Sequence, residues 1–144
     1  MKDKILDTMT ELGFKLEVLD NIGYGFSYEG IKYMYMHPHN DENFLNICIP
    51  AVFDLKDDSD LIYYKLMDRI NTNQKYVKAY ELGNCIWLFY ERELYEDEDL
   101  MALITRMILH LEASLGMARR TFDELNSNAE ENDEDNETVE PNEE

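Results

Sequence analysis

"NTNQKYVKAYELGNCIWLFYE", Asn71 to Glu91, is the stretch whose reading decides the fold. It opens as the end of a helix, since Asn71 and Asn73 accept left-handed backbone geometry better than most residues. Val77–Leu82 and Cys85–Glu91 then read as strands, and Gly83-Asn84 as a two-residue hairpin loop. Strands of about six residues, rising about 3.3 Å per residue, span about 20 Å, the usual depth of a sheet. The stretch carries no nucleophile with a partner. It is either the scaffold of an active site or part of a surface that holds another protein.

Upstream of it, Ile62, Tyr63, Leu66, Met67 and Ile70 cover one arc of a helix, with Ser59 or Asp60 as its N-cap. Before that, "FLNICIPAVF" is apolar on both faces in its middle, which suits a central strand. "GYGFSYEGIKYMYMH" reads as a hairpin around Glu29-Gly30, stopped by Pro38, which has no N–H for the ladder. Residues 3–12 place Ile5, Leu6, Met9 and Leu12 on one helical face, with Gly13 at the C′ position. A short extended segment over Phe14, Leu16 and Val18 is a further reading.

Downstream, Asp97 or Glu98 opens a last helix, where acidic side chains meet its positive end. Its stripe is Leu100, Leu103, Ile104, Met107, Ile108, Leu111, Leu115, Ala118, Phe122 and Leu125, with Gly116 as a place for a bend. From Asn126 to Glu144 there are nine acidic residues, no basic one, and no apolar period. That composition predicts a disordered acidic tail over 126–144 behind a folded domain over 1–125. The expected fold class is α+β, in the order α-β-β-β-α-β-β-α, with one antiparallel five-stranded sheet and the helices packed on it.

The 144 residues suffice for one domain and carry a net charge of −19. The first 125 alone hold 13 basic and 23 acidic side chains, hence −10. Such a surface repels phosphate backbones and anionic lipid, so nucleic acid and membrane are not expected partners. It attracts basic proteins, or it serves solubility alone. Two cysteines, Cys48 and Cys85, without C-x-x-C spacing, argue against a disulfide framework or zinc site and for a reducing compartment. Asp3 and Asp7 interrupt any signal-like apolar run, and no unbroken apolar segment suggests a membrane span. The expected location is cytoplasmic.

The chain also resembles a known family, the YbjN-like proteins, which share the fold of type III secretion chaperones. The matching features are "FSYEGIKYMYMH" as the first hairpin and "DENFLNICIP" as an acidic turn into a strand ending at Pro50. "LMDRINTNQKY" is the helix closing on Asn-x-Asn, and "AYELGNCIWLFYE" the second hairpin. The resemblance covers residues 3–120 and includes no catalytic signature. It implies the fold, a homodimer, and a chaperone-like activity that holds a partner segment extended. With that dimer in view, Tyr64, Leu109 and Met117, which fall away from their helices' core stripes, are the candidate dimer contacts.

No catalytic, cofactor or metal motif appears: there is no phosphate loop, dinucleotide fingerprint or H-E-x-x-H. Gly23-Tyr24-Gly25 is too short to cradle phosphate. His37-Pro38-His39 with Asp41 and Glu42 has the residue types of a divalent-metal site, but reads better as a polar loop. Cys48 and Cys85 lie in apolar strands, where burial keeps a thiol inert. The feature that asks for explanation is aromatic content: ten Tyr, six Phe and one Trp. Tyr33, Tyr35, Trp87, Phe89 and Tyr90 are the candidate partner-binding residues, since Tyr and Trp favour interfaces. The competing reading places them in the core under the helices. The functional expectation is a non-catalytic, chaperone-like protein-binding module. The alternatives are an acidic decoy for a basic protein and an enzyme with a cleft that the sequence does not mark.

Overall fold

The computed structural model describes residues 1–37, 43–55 and 60–138, with side chains described as far as Ala129. The chain order is α1 (Lys2–Glu11), β1 (Glu17–Leu19), β2 (Gly23–Tyr28), β3 (Ile31–Met36), β4 (Phe44–Asp54), α2 (Asp60–Asn73), β5 (Val77–Leu82), β6 (Cys85–Glu93) and α3 (Leu100–Thr138). The strands form one antiparallel sheet in the order β1-β2-β3-β4-β6-β5. The sheet has six strands, not the five expected. The extra one is β1, whose Glu17 and Leu19 pair with Gly25 and Gly23. Three residues are too few to establish an alternation, so the sequence pattern alone left it as an extended segment.

Turn chemistry sets the registers. Tyr28 pairs with Ile31 and Leu82 with Cys85, each across a two-residue loop. Glu29 and Gly30 have φ of 53° and 77°, and Gly83 and Asn84 59° and 61°. Two successive positive φ values define the hairpin turn whose twist matches that of the strands. Helix α1 ends as expected at Gly13: its N–H donates to Thr10 O, and that of Phe14 to Met9 O, which satisfies two orphan carbonyls. The α3 start is corrected by one turn position. Asp99, not Asp97 or Glu98, is the cap, its Oδ1 accepting from Ala102 N–H at 3.1 Å. Glu98 instead accepts from Tyr95 N–H at 2.8 Å and pairs with Arg92 at 2.6 Å, which together hold its carboxyl below the usual carboxylate range. Ser59, Pro38, His39, Asp41 and Glu42 lie outside the described residues.

The core lies between one sheet face and the three helices. On β6 it takes Ile86, Leu88 and Tyr90; on β4, Leu45, Ile47 and Ile49; on β3, Tyr33 and Tyr35. The helices contribute Ile5 and Met9, then Tyr63, Leu66 and Ile70, then the α3 stripe from Leu103 to Leu125. Helix α3 runs unbroken through Gly116 and is long and apolar enough by composition to cross a membrane. Here that stripe is the wall of the core. The same helix continues to Thr138, past the Leu125 boundary read from the sequence. Among the described side chains Leu125 is the last buried one of the stripe. No Gly or Pro stands between Gly116 and Pro141, and elongating an existing helix adds one hydrogen bond per residue.

One sheet edge is closed by a side chain. Asn71, in the last turn of α2, donates through Nδ2 to Ala79 O at 3.0 Å and accepts at Oδ1 from Ala79 N–H at 2.7 Å. This is the pair of bonds that another strand would supply to β5. Gln74 ties the following loop to α3 by accepting from the buried Ser114 hydroxyl at 2.9 Å.

Candidate functional site on the helix-free face of the sheet

Strand parity assigns the aromatic residues to two surfaces. Tyr33, Tyr35 and Tyr90 point under the helices and are buried. Burial pushes the Tyr33 hydroxyl above the ordinary tyrosine range and that of Tyr35 up to about 12. These three candidates are therefore scaffold, because they share parity with the aliphatic Ile47, Ile86 and Leu88. Tyr90 is stacked on the exposed Tyr76, with ring centroids 5.5 Å apart. His110 lies at 5.5 Å from Tyr76 and 6.0 Å from Tyr90, so it borders the core as a packing residue.

Trp87 and Phe89 point the other way, toward a second apolar cluster with Met34, Cys48, Leu19 and Met36. Among the described residues no helix residue belongs to that cluster. Phe89 is nonetheless only 1% exposed. Tyr80, its neighbour on β5, stacks on it at 4.2 Å with planes 6° apart, and Trp87 also stacks on it at 5.8 Å with planes 9° apart. Tyr80 itself is 40% exposed, and its hydroxyl donates to Glu91 at 3.4 Å. Burial, then the Glu91 charge, raises that hydroxyl to about 12. The aromatic rings thus form a pile at the β6–β5 end of the open face.

Registers give the rest of that face. Phe89 pairs with Cys48, Cys48 with Met34, Met34 with Gly25, and Gly25 with Glu17; on the other side Phe89 pairs with Lys78. One row across the sheet therefore reads Glu17, Gly25, Met34, Cys48, Phe89, Lys78. Where the row reaches β2 it has no side chain. A depression of about 570 Å³ opens there, lined by Lys15, Glu17, Leu19, Gly25, Ser27, Lys32, Met34 and Pro50 among others. A second, of about 450 Å³, lies against Ile22, Met36, Phe44, Asn46 and Glu91. The Asn46 Oδ1 atom is buried without a hydrogen-bond partner.

Burial, reinforced by Glu91, pushes the Cys48 thiol up to about 12, so it stays protonated at neutral pH. Cys85 donates its S–H to Asp54 at 3.2 Å, and that bond raises its pKa. His37 lies 3.3 Å from the Tyr35 hydroxyl. Among the described residues no three His, Cys, Asp or Glu side chains converge as a metal site would require.

Of the candidate dimer contacts, Tyr64 and Leu109 are exposed on the helical layer. Met117, expected to fall away from the α3 stripe, is half-buried and packs against the core. Leu109 lines a depression of about 480 Å³ with Leu12, Phe14, Tyr28 and Ile108 that includes neither Tyr64 nor Met117. Sequence reasoning missed Tyr80, Met34, Met36 and Gly25. The signal for Tyr80 was present, because the Gly83-Asn84 loop places it opposite Trp87.

No family model matches this chain, and no curated protein does. Among solved structures it is similar to the crystal structure of YbjN, "a putative transcription regulator from E. coli". The two share 13% identity, cover 91% of this chain and 93% of that one, and superpose with a TM-score of 0.59. At that identity the likeness concerns architecture alone, and the fold of this chain is YbjN-like.

Proposed function

We propose that this chain is a non-catalytic, cytoplasmic protein-binding module whose binding surface is the helix-free face of the sheet. The observation that carries the reading is the second apolar cluster. A sheet normally covers an apolar face with another layer. Here the half-buried Leu19, Met36 and Trp87 pack against the buried Met34, Cys48 and Phe89, and the exposed Tyr80 stacks on Phe89. A partner covering this apolar strip removes that surface from water, at roughly 25 cal/mol per Å². The chaperone-like form of the reading is a segment held extended along the strands. The unpaired cysteines support a reducing compartment.

The test uses Trp87, the single tryptophan of the chain. Peptides selected on the protein should shift Trp87 emission on binding. Tyr80→Ala and Lys78→Glu, both on exposed positions, should stay folded by circular dichroism yet lose those peptides. Peptides that bind without any emission shift, and bind both variants like the parent, would place the surface elsewhere.

A second reading rests on charge. The net −19 and the nine acidic residues of 126–144 suit an acidic regulator that engages a basic protein. YbjN carries the label of a transcription regulator, and a chain this acidic would reach transcription through a basic protein, since DNA phosphates repel it. That mode would weaken steeply with salt, whereas burial of the apolar strip would not.

A further inference from the structure

One row of the open face holds a carboxylate without a counter-charge beside an orphaned amide oxygen, and we propose that it seats an arginine side chain of an extended partner segment. The proposal rests on the reading that the face is a protein-binding surface, and it names the residue that the partner brings. The row adjoins the one described above. Gly23 pairs with Met36, Met36 with Asn46, and Asn46 with Glu91. Strand parity sets Asn46 and Glu91 on the same side as Cys48 and Phe89. Gly23 adds no side chain, so the row is open on the β2 side.

The depression of about 450 Å³ lies over this row, and its walls are accessible within one chain. Ile22 is exposed, and Met36, Phe44, Asn46 and Glu91 are each half-buried. Among the described residues the ion pairs join Arg69 to Glu124 and Arg92 to Glu98, so none neutralises Glu91. Glu91 accepts a long bond of 3.4 Å from the Tyr80 hydroxyl. Its charge is felt by its neighbours, where it raises the Tyr80 hydroxyl and the Cys48 thiol. A carboxylate partly withdrawn from water favours any cation that can reach it.

Asn46 supplies a second acceptor. Its Oδ1 is buried without a hydrogen-bond partner, while the side chain as a whole lines the depression. The last torsion of asparagine has a broad well, so a small turn brings that oxygen toward an incoming donor. A group that satisfies both oxygens needs positive charge, several N–H donors in one plane, and an apolar stem to lie against Met36, Phe44 and Ile22. Arginine has all three, with five donors in a fixed fork on an aliphatic stem. Lysine has the charge and the stem but not the fork.

The seat also sets the register of the segment. In an extended chain every second side chain faces the sheet, and the fourth residue from the arginine falls about 13 Å along it. Trp87 stands four residues from Glu91 on the same face of β6. An arginine over Glu91 therefore brings an apolar side chain four positions away onto Trp87 and the exposed Tyr80. A slip of one residue turns the arginine away from the sheet.

Fluorescence anisotropy tests this with the full chain and a labelled, capped nonapeptide that has Arg at its centre, Leu at both ends, and Ser and Thr between. At about 150 mM salt, exposed charges are screened beyond about 8 Å, so the acidity of the chain alone gives little selectivity. Replacing the Arg by citrulline, its uncharged isostere, should weaken binding about tenfold or more, and so should moving the Arg by one position. Glu91→Gln should weaken the Arg peptide as much and leave the citrulline peptide unchanged, as a direct pair requires. Asn46→Ala should remove part of the same preference. Glu91→Gln should fold and melt no lower than the parent, because the charge it removes has no counter-charge within the chain. Equal binding of the Arg and citrulline peptides, or an Arg preference that survives both substitutions, overturns the proposal. If the peptides bind alike and Tyr80→Ala releases them, only the arginine seat is refuted. If they bind alike and are indifferent to Tyr80→Ala, or if none binds, the protein-binding reading of the face falls as well.

Discussion

Replacing Asn71 by alanine removes both bonds that close the β5 edge while leaving the core untouched. Each hydrogen bond of this kind contributes about 0.5–1.5 kcal/mol net, so the pair contributes about 1–3 kcal/mol. Alanine recovers some of this, because it is the better helix former by about 0.6 kcal/mol and Asn71 sits in the last turn of α2. The expected net loss is therefore about 0.5–2.5 kcal/mol, or about 2–8 °C in Tm for a domain of this size. Asn71→Asp separates the two bonds. The carboxylate still accepts from the Ala79 N–H but turns an oxygen toward the Ala79 carbonyl, where Nδ2 donated at 3.0 Å. It should be no more stable than the alanine variant at pH 7 and should recover as pH falls through the carboxyl range. Differential scanning calorimetry at pH 7 and pH 4 measures both. The edge-closing role is refuted if Asn71→Ala melts within one degree of the parent, or if Asn71→Asp matches the parent at pH 7.

Alkaline conditions should unfold the domain early. The Tyr33, Tyr35 and Cys48 groups all have folded pKa values raised above their unfolded values near 10, 10 and 9, so their stabilisation is complete below about pH 9 and is lost as pH rises toward about 12. At about 1 kcal/mol per pH unit per group, urea titrations should show a loss of up to about 3 kcal/mol between pH 10 and 11, and Cys48→Ala should lower that slope by about a third. Gly23→Ala should fail to fold at 37 °C, since Gly23 has φ of 153° and its added Cβ would be driven into the Tyr35 carbonyl; expression and circular dichroism check this. A chain ending at Ala129 keeps Leu125, the last buried residue of α3 among those whose side chains are described, and should melt within a few degrees of the full chain.

The parts of the fold legible in the sequence are those set by neighbours in the chain. Glu29-Gly30 and Gly83-Asn84 marked their turns because the backbone there needs positive φ at two successive residues, and few residue pairs supply it. Gly13 ended α1 for a similar reason, and the stripe from Leu100 to Leu125 stayed on one face because its period is helical. β1 was not legible: its partner lies across a loop, and Val18 is exposed within a strand of three residues. Nor could alternation say which parity lies under the helices. In β3 the sets Tyr33/Tyr35 and Met34/Met36 are both apolar, and both are largely buried. What decides between them is the neighbour strand. Tyr35 pairs with Ile47 and Ile47 with Tyr90, so all three share a face with Ile86 and Leu88, the aliphatic set that helices cover. Trp87 and Phe89 then belong to the opposite face by parity alone. Grouping Tyr90 with them joined residues that a single strand must point apart. The row across the open face is a step further from the sequence. Glu17, Gly25, Met34, Cys48, Phe89 and Lys78 come from six strands, and no local pattern links them. Only the pairing of each strand with the next sets a glycine hollow at one end against a ring pile at the other. A property that depends on five registers at once is fixed by tertiary structure, which is why the proposed binding face could be suspected from the aromatic count but not located by it.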